Sequence, residues 1–187
     1  LRHGSEDLDC EICIQGKMVR PSFPKKSERN TEKLELIHTD ICGPMRVTSN
    51  GGSRYFITFT DDHSRWTEIR FIKSKDRALE EFKAYKAFVE KQHDVKIKAI
   101  QSDNGREYVN KEFDEYLKIE GIQHRLTTAY SPEQNGVAER KNRTLVDSAR
   151  CLLLQSGLPA SFWAEAVSTA NYIRNRCPTK KLDSRTP

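Results

Sequence analysis

The sequence lacks any long hydrophobic run: its apolar stretches are a few residues long and interrupted by charges, far short of the roughly 20 residues that cross a bilayer. No signal-peptide pattern opens the chain either, so a soluble, intracellular protein with no membrane partner is expected. Cysteine is sparse and uneven. Cys10, Cys13, Cys42, Cys151 and Cys177 contain one close pair and leave an odd residue, which argues against a secreted disulfide framework and for reduced thiols. Also missing are an initiating methionine, since the chain begins at Leu1, and a terminating pattern at Thr186-Pro187. A piece of something longer is expected.

What is present is a modest cationic excess. The net charge is +5 with 32% charged residues, the pI is about 8.9 and the mean hydropathy is −0.76. That balance suits a polyanionic partner such as nucleic acid. The 187 residues, 36% of them hydrophobic, suffice for one core with appendages.

Residue pattern divides the chain into elements. Leu34 to Ile41 reads as a strand carrying Asp40 at its end, and Tyr55 to Thr60 as a second, joined through the turn-forming Asn50-Gly51-Gly52. Asp61-Asp62-His63-Ser64 would turn the chain into a third strand, Trp66 to Ile72, completing an antiparallel trio. With Ser74 as N-cap, Ala78, Phe82, Tyr85 and Val89 recur at helical spacing and predict a helix over 75–92. Val95, Ile97 and Ala99 alternate up to Ile100, predicting a strand that delivers Asp103; Phe113, Tyr116 and Leu117 mark the next helix, and Ile122 to Leu126 a fifth strand. After Pro132 and Gly136 a long helix runs to about Gln155, burying Ala138, Leu145, Ala149 and Leu152 and stopping at Gly157; another runs from Pro159 to about Arg176. The order β-β-β-α-β-α-β-α-α predicts an α/β fold, a mixed five-stranded sheet flanked by helices.

Three acids stand in distinctive surroundings: Asp40 in His-Thr-Asp, Asp103 in Gln-Ser-Asp-Asn-Gly and Glu139 in Asn-Gly-Val-Ala-Glu. Thirty-five residues separate the last two. Adjacent strands would bring the aspartates together and a helix across the sheet would present Glu139. Hard divalent cations take oxygen ligands, and paired cations activate both the attacking and the leaving oxygens of a phosphodiester. As three arbitrary acids among 27 they would be solvated surface; their neighbours set them apart. Asp61 and Asp62 are rival carboxylates but read as turn formers, and His38, which shares the face of Asp40, reads as packing or surface with substrate contact as the alternative.

The segments HTDICGPM at 38–45, TDDHSRW at 60–66, QSDNGREY at 101–108 and YSPEQNGVAERKNRTL at 130–145 together resemble the integrase of copia-type retrotransposons, within the retroviral integrase superfamily. The likeness extends upstream over CEICIQGKMVRPSF at 10–23 and downstream over LPASFWAEAVSTANYIRNRCP. It implies an RNase H-like catalytic core whose D,D(35)E triad falls on Asp40, Asp103 and Glu139. It further implies Mg²⁺ or Mn²⁺ as cofactor, 3′-end processing of element DNA by water, and strand transfer into target DNA. Element ends and target DNA would be the partners, with a homo-oligomer joining them, acting in the nucleus after a cytoplasmic particle stage. By this resemblance 1–26 is the end of a truncated HHCC zinc module plus basic linker, 27–156 the catalytic core and 157–187 a helical extension.

Two further features follow from spacing. Glu139, Arg143, Val146 and Arg150 fall on one line of a helix, with Arg140 and Lys141 adding charge and Asn135-Gly136 offering an entrance where backbone could approach DNA; Asn135, Gly136, Arg140, Lys141, Arg143 and Arg150 are the candidate DNA contacts. Lys17, Arg20, Lys25 and Lys26 extend the basic character upstream. Cys10 and Cys13 have the spacing of half a tetrahedral zinc site; in the resembling family they match the last two of four ligands, so Zn²⁺ is expected in the full-length protein. Cys42, Cys151 and Cys177 read as packing or surface thiols. Two other function classes remain: a domesticated or inactive DNA-binding derivative, and a ribonuclease H-type nuclease.

Overall fold

The computed structural model describes residues 31–127, 135–179 and 182–187. Cys10, Cys13 and the upstream basic residues lie outside the described residues, as does the segment 1–26 assigned to the zinc module and linker. The order of elements is β1 (Leu36–Cys42), β2 (Tyr55–Asp61), β3 (Thr67–Ile72), α1 (Ala78–His93), β4 (Ala99–Ser102), α2 (Lys111–Glu120), β5 (Gln123–Leu126), α3 (Gly136–Ser156) and α4 (Trp163–Arg174). The expected succession holds. The five strands form one mixed sheet ordered β3-β2-β1-β4-β5, with β1 to β3 antiparallel and β1, β4 and β5 parallel.

Boundaries differ where backbone chemistry intervenes. Leu34 adopts φ 61°, a left-handed conformation that no strand accommodates, so β1 starts two residues late and holds Asp40 inside the strand rather than at its end. Val95 to Lys98 alternate as a strand would, yet pairing with β1 begins at Ala99, and Val95 is exposed. The helix foreseen from 75 opens with a 3-10 turn, Lys75–Arg77, and Ser74 makes no side-chain cap bond. Gly121 and Gly157 end α2 and α3 in left-handed conformation, the usual release of a helix C-terminus.

Strand alternation sorts the core into two clusters, one on each face of the sheet. Ile37, Ile41, Ile57 and Phe59 point toward Phe82, Tyr85, Tyr108 and Phe113 of the α1–α2 side. Stacked rings join Phe59 to Tyr85 and Phe82 to Phe113, with centroids 4.5 and 5.8 Å apart. The intervening residues face α3 and α4, where Phe56 meets Leu145, Ala149, Trp163 and Val167. Each fully buried large side chain contributes about 1.5–3 kcal/mol of transfer free energy. The helix of the 157–187 extension, α4, is tied to β3: the Asn171 and Asn175 side chains both donate to the Thr67 carbonyl at 2.8 Å, and Thr67 N–H donates back to Asn175 Oδ1 at 3.1 Å.

Candidate functional site

The parallel pairing of β1 with β4 sets the two aspartates side by side. Leu36 lies beside Ala99, Ile37 beside Ile100 and His38 beside Gln101; continuing this register two places brings Asp40 beside Asp103, where β4 has just ended. Asp103 is fixed by its own turn. Its Oδ1 accepts the Gly105 N–H at 3.0 Å, while Asn104 Nδ2 donates to the Thr127 carbonyl at 2.8 Å, tying the turn to the end of β5. A Cβ at Gly105 would lie 2.7 Å from Glu107 Cδ and 3.0 Å from Asp103 Oδ1, so any larger residue here would have to displace the Glu107 side chain.

Helix α3 crosses the face of the sheet against β1 and β2 and carries Glu139 in its first turn, exposed. Three residues on, and so on the same side of the helix, Asn142 is buried. Its Nδ2 donates to Asp40 Oδ2 at 2.9 Å, and its Oδ1 accepts from Thr58 Oγ1 at 3.0 Å. Thr58 is the direct antiparallel partner of Asp40 on β2. A relay thus runs from strand to helix to carboxylate, fixing both Asn142 and Asp40. Neither Asn142 nor Thr58 stood out in the sequence, although a polar residue on the otherwise apolar stripe of a helix was a usable signal.

The Asp40 carboxyl feels the charge of the other two acids. Burial, then repulsion from Asp103 and, more weakly, Glu139, pushes the Asp40 carboxyl up to about 6, against the opposing hydrogen bond from Asn142. Burial and the negative charge of Asp40 likewise push the Cys42 thiol up to about 11, which keeps it protonated and fits a packing role. Below the site, Tyr108 is fully buried with its hydroxyl 3.0 Å from Thr39 Oγ1. Among the described residues no three His, Cys, Asp or Glu side chains close into a complete ligand set. The donor chemistry nevertheless fits a hard divalent cation: all-oxygen donors, mutual repulsion at Asp40, and no ion pair on Asp40, Asp103 or Glu139 among the described residues.

The rival acids have structural work. Asp61 accepts from Leu34 N–H at 3.0 Å, Ser64 N–H at 2.9 Å and Ser64 Oγ at 2.7 Å. Asp62 is buried rather than a solvated turn residue, bonded to His38 Nε2 at 2.9 Å, Arg65 Nη2 at 2.8 Å and Thr31 Oγ1 at 3.0 Å. Burial opposes its charge, but the bonds from His38 and Thr31 and the Arg65 guanidinium outweigh it and hold the carboxyl well below the usual range. His38, 1% exposed, is therefore a packing residue sealed beneath the sheet surface.

The candidate phosphate contacts separate. Arg143 and Arg150 are exposed on the line of Glu139, with Arg150 pairing Asp147 at 3.3 Å, while Val146 packs into the α3–α4 core. Asn135 and Gly136 are buried, and Asn135 keeps neither polar side-chain atom bonded among the described residues. Lys141 sits two residues, about 200° of helix, from Glu139 and so turns away from that line, facing Arg65 and Arg174. Burial, then repulsion from Arg174 and Arg65, lowers its ammonium to about 8.

Comparison with known proteins follows from this geometry. The family described as Integrase core domain matches residues 30–132. The chain is 45% identical over 179 residues to the retrovirus-related Pol polyprotein from transposon TNT 1-94 of Nicotiana tabacum, covering 96% of this chain and 14% of that protein. It is 34% identical over 181 residues to the transposon Ty1-DR4 Gag-Pol polyprotein of Saccharomyces cerevisiae, covering 94% of this chain and 11% of that one. The chain thus spans a small fraction of the length of these relatives. In structure it resembles the simian T-cell lymphotropic virus intasome in complex with PP2A regulatory subunit B56 gamma, with TM-score 0.64, 19% identity and coverage of 81% of this chain and 52% of that one. It also resembles the HTLV-2 integrase catalytic core domain in complex with magnesium, in trimeric form, with TM-score 0.60, 18% identity and coverage of 84% and 96%. These likenesses give the sheet and its helices the RNase H-like fold.

Proposed function

The chain belongs to the integrase core domain family, and from that premise we propose that it is the catalytic part of a retrotransposon integrase, a polynucleotidyl transferase that trims element DNA ends and joins them to target DNA. The observation that carries the reading is the register of β1 on β4, which sets Asp40 beside Asp103, with α3 bringing Glu139 to bear on Asp40. Asp40, Asp103 and Glu139 would hold Mg²⁺, the ion named for the HTLV-2 core. When bound, it supplies Lewis-acid activation of the nucleophile and neutralises charge at the scissile phosphate. The residues themselves do the positioning. Asn142, oriented by Thr58, holds Asp40 in one rotamer, the Gly105 N–H holds Asp103, and Arg143 and Arg150 grip phosphates beside Glu139 without reading sequence. No side-chain general base is needed.

Joining two element ends to one target calls for more than one copy of the chain, and the target places the reaction in the nucleus. The decisive test is Asp103→Asn in a longer integrase that contains this chain. Strand transfer supported by Mg²⁺ should fall at least about 10²-fold, the scale on which one electrostatic group at a reacting centre is felt, with the circular dichroism spectrum and DNA affinity preserved. Retained joining would overturn the assignment.

A further inference from the structure

On the side of α3 turned away from Glu139, a cavity of about 340 Å³ opens between α3, α4 and the β2–β3 turn, lined by Arg65, Lys141, Arg174, Cys177, Pro178 and Thr179, with Pro187 at its border. A second cavity of about 270 Å³ adjoins it, sharing Arg65, Lys141, Arg174 and Thr179 and adding Arg140. Three cations brought into one concavity repel one another, and each needs a counter-charge. One has it: Asp62 bonds Arg65 at 2.8 Å. Among the described residues neither Lys141 nor Arg174 has a carboxylate within ion-pair distance. The local surplus is two positive charges.

Arg65 strengthens the case independently. It adopts φ 62°, a left-handed conformation costing a side-chain-bearing residue roughly 1–2 kcal/mol, and the turn is held in place by Asp61 through Ser64 and through the Arg65 N–H itself. Its Nε is buried with no acceptor among the described residues. A strained residue with an unused donor at the wall of a cationic cavity has the make-up of a ligand site.

We propose that this cavity binds a phosphate group carrying two or more negative charges, a phosphate monoester or a diphosphate, at a site distinct from the acidic triad. Two or more negative charges can meet both Lys141 and Arg174, whereas a singly charged phosphodiester leaves one of them unmatched. Guanidinium groups match phosphate oxygens in planar pairs, and the volume suits a small ligand rather than a duplex. The two phosphate sources, a free small anion and a nucleic-acid backbone, are separated by the test.

The experiment is calorimetric titration of the 187-residue chain with inorganic pyrophosphate and, separately, with an end-blocked single-stranded oligonucleotide that offers only phosphodiesters. Pyrophosphate should bind one site, and Arg174→Gln, an exposed change, should weaken it about tenfold or more, as for loss of one charge-assisted contact. Lys141→Met, close to isosteric, should do the same without lowering the thermal midpoint of the ligand-free chain, since it removes a cation that burial and its neighbours disfavour. Pyrophosphate binding that neither variant weakens overturns the proposal. So does an oligonucleotide that binds through Lys141 and Arg174 more tightly than pyrophosphate, because the cavity is then a backbone contact. Neither outcome depends on strand-transfer activity.

Discussion

The two faces of the sheet are built on different principles. On the α1–α2 face, Phe59, Phe82, Tyr85, Tyr108 and Phe113 interlock as rings around aliphatic strand residues. On the α3–α4 face the buried members are largely alanines, with Phe56, Leu145, Val167 and Trp163 as the bulk, and the polar relay Thr58–Asn142–Asp40 runs through it. The first face is a foundation. The second is a seam between a sheet that fixes two carboxylates and a helix that brings a third, and small residues let that helix lie close.

The sharpest way to break this contrast is to truncate each face in turn. Phe82→Ala should cost about 3–5 kcal/mol in chemical denaturation, against nearer 2 kcal/mol for Leu145→Ala, because the ring leaves a cavity its stacked neighbours cannot refill. Equal costs would show the faces to be energetically alike.

Next comes the relay. Asn142→Ala should reduce Mg²⁺ affinity about tenfold, at the lower end of what outer-sphere partners contribute, read as the Mg²⁺ concentration that half-saturates a rise in thermal midpoint. Asn142→Asp would restore bulk but add a fourth negative charge, and should not restore the metal-free stability.

The smallest effect is electrostatic. Asp40 titrates near 6 in the folded chain and near 4 when unfolded, so across that interval the folded state holds a proton that the unfolded state has lost. Stability of the metal-free chain therefore falls as pH rises through that window. In the presence of chelator, Asp40→Asn should stabilise the chain by about 1–2 kcal/mol at pH 7.5 and by little at pH 4. A variant less stable at both pH values would show that the Asn142 bond to Asp40 outweighs the repulsion.

The α1–α2 face was the more legible of the two in the sequence. Phe82, Tyr85, Phe113 and Leu117 recur at helical spacing, and strand alternation at Ile57 and Phe59 gave the matching surface. Of the site, Asp103 was readable as a strand-end acid and Glu139 as a first-turn helix residue, while Asp40 was placed on the right strand but at its end rather than inside it. Their partners were not. Thr58 and Asn142 become meaningful only when the hairpin register and the crossing of α3 are known, since 84 residues of separation carry no local signal. Asp62 was rightly read as a turn residue, but its burial was not legible, because His38 and Arg65 reach it from a neighbouring strand and from the residues after the turn. Lys141, two residues from Glu139 in sequence, lies about 200° from it around the helix and faces Arg65 and Arg174 instead.

The pairing of β1 with β4 has a final consequence for how such a chain can change. Everything between Asp40 and Asp103 leaves the sheet's centre and returns, and the distance between the carboxylates depends only on where the two strands lock, not on the length of that excursion. Residues can be inserted or lost in the turns of the excursion without moving either acid. A slip of one position between β1 and β4 would instead swing one aspartate to the opposite face of the sheet. The vulnerable quantity is thus an alignment of two strands, a parity rather than a distance.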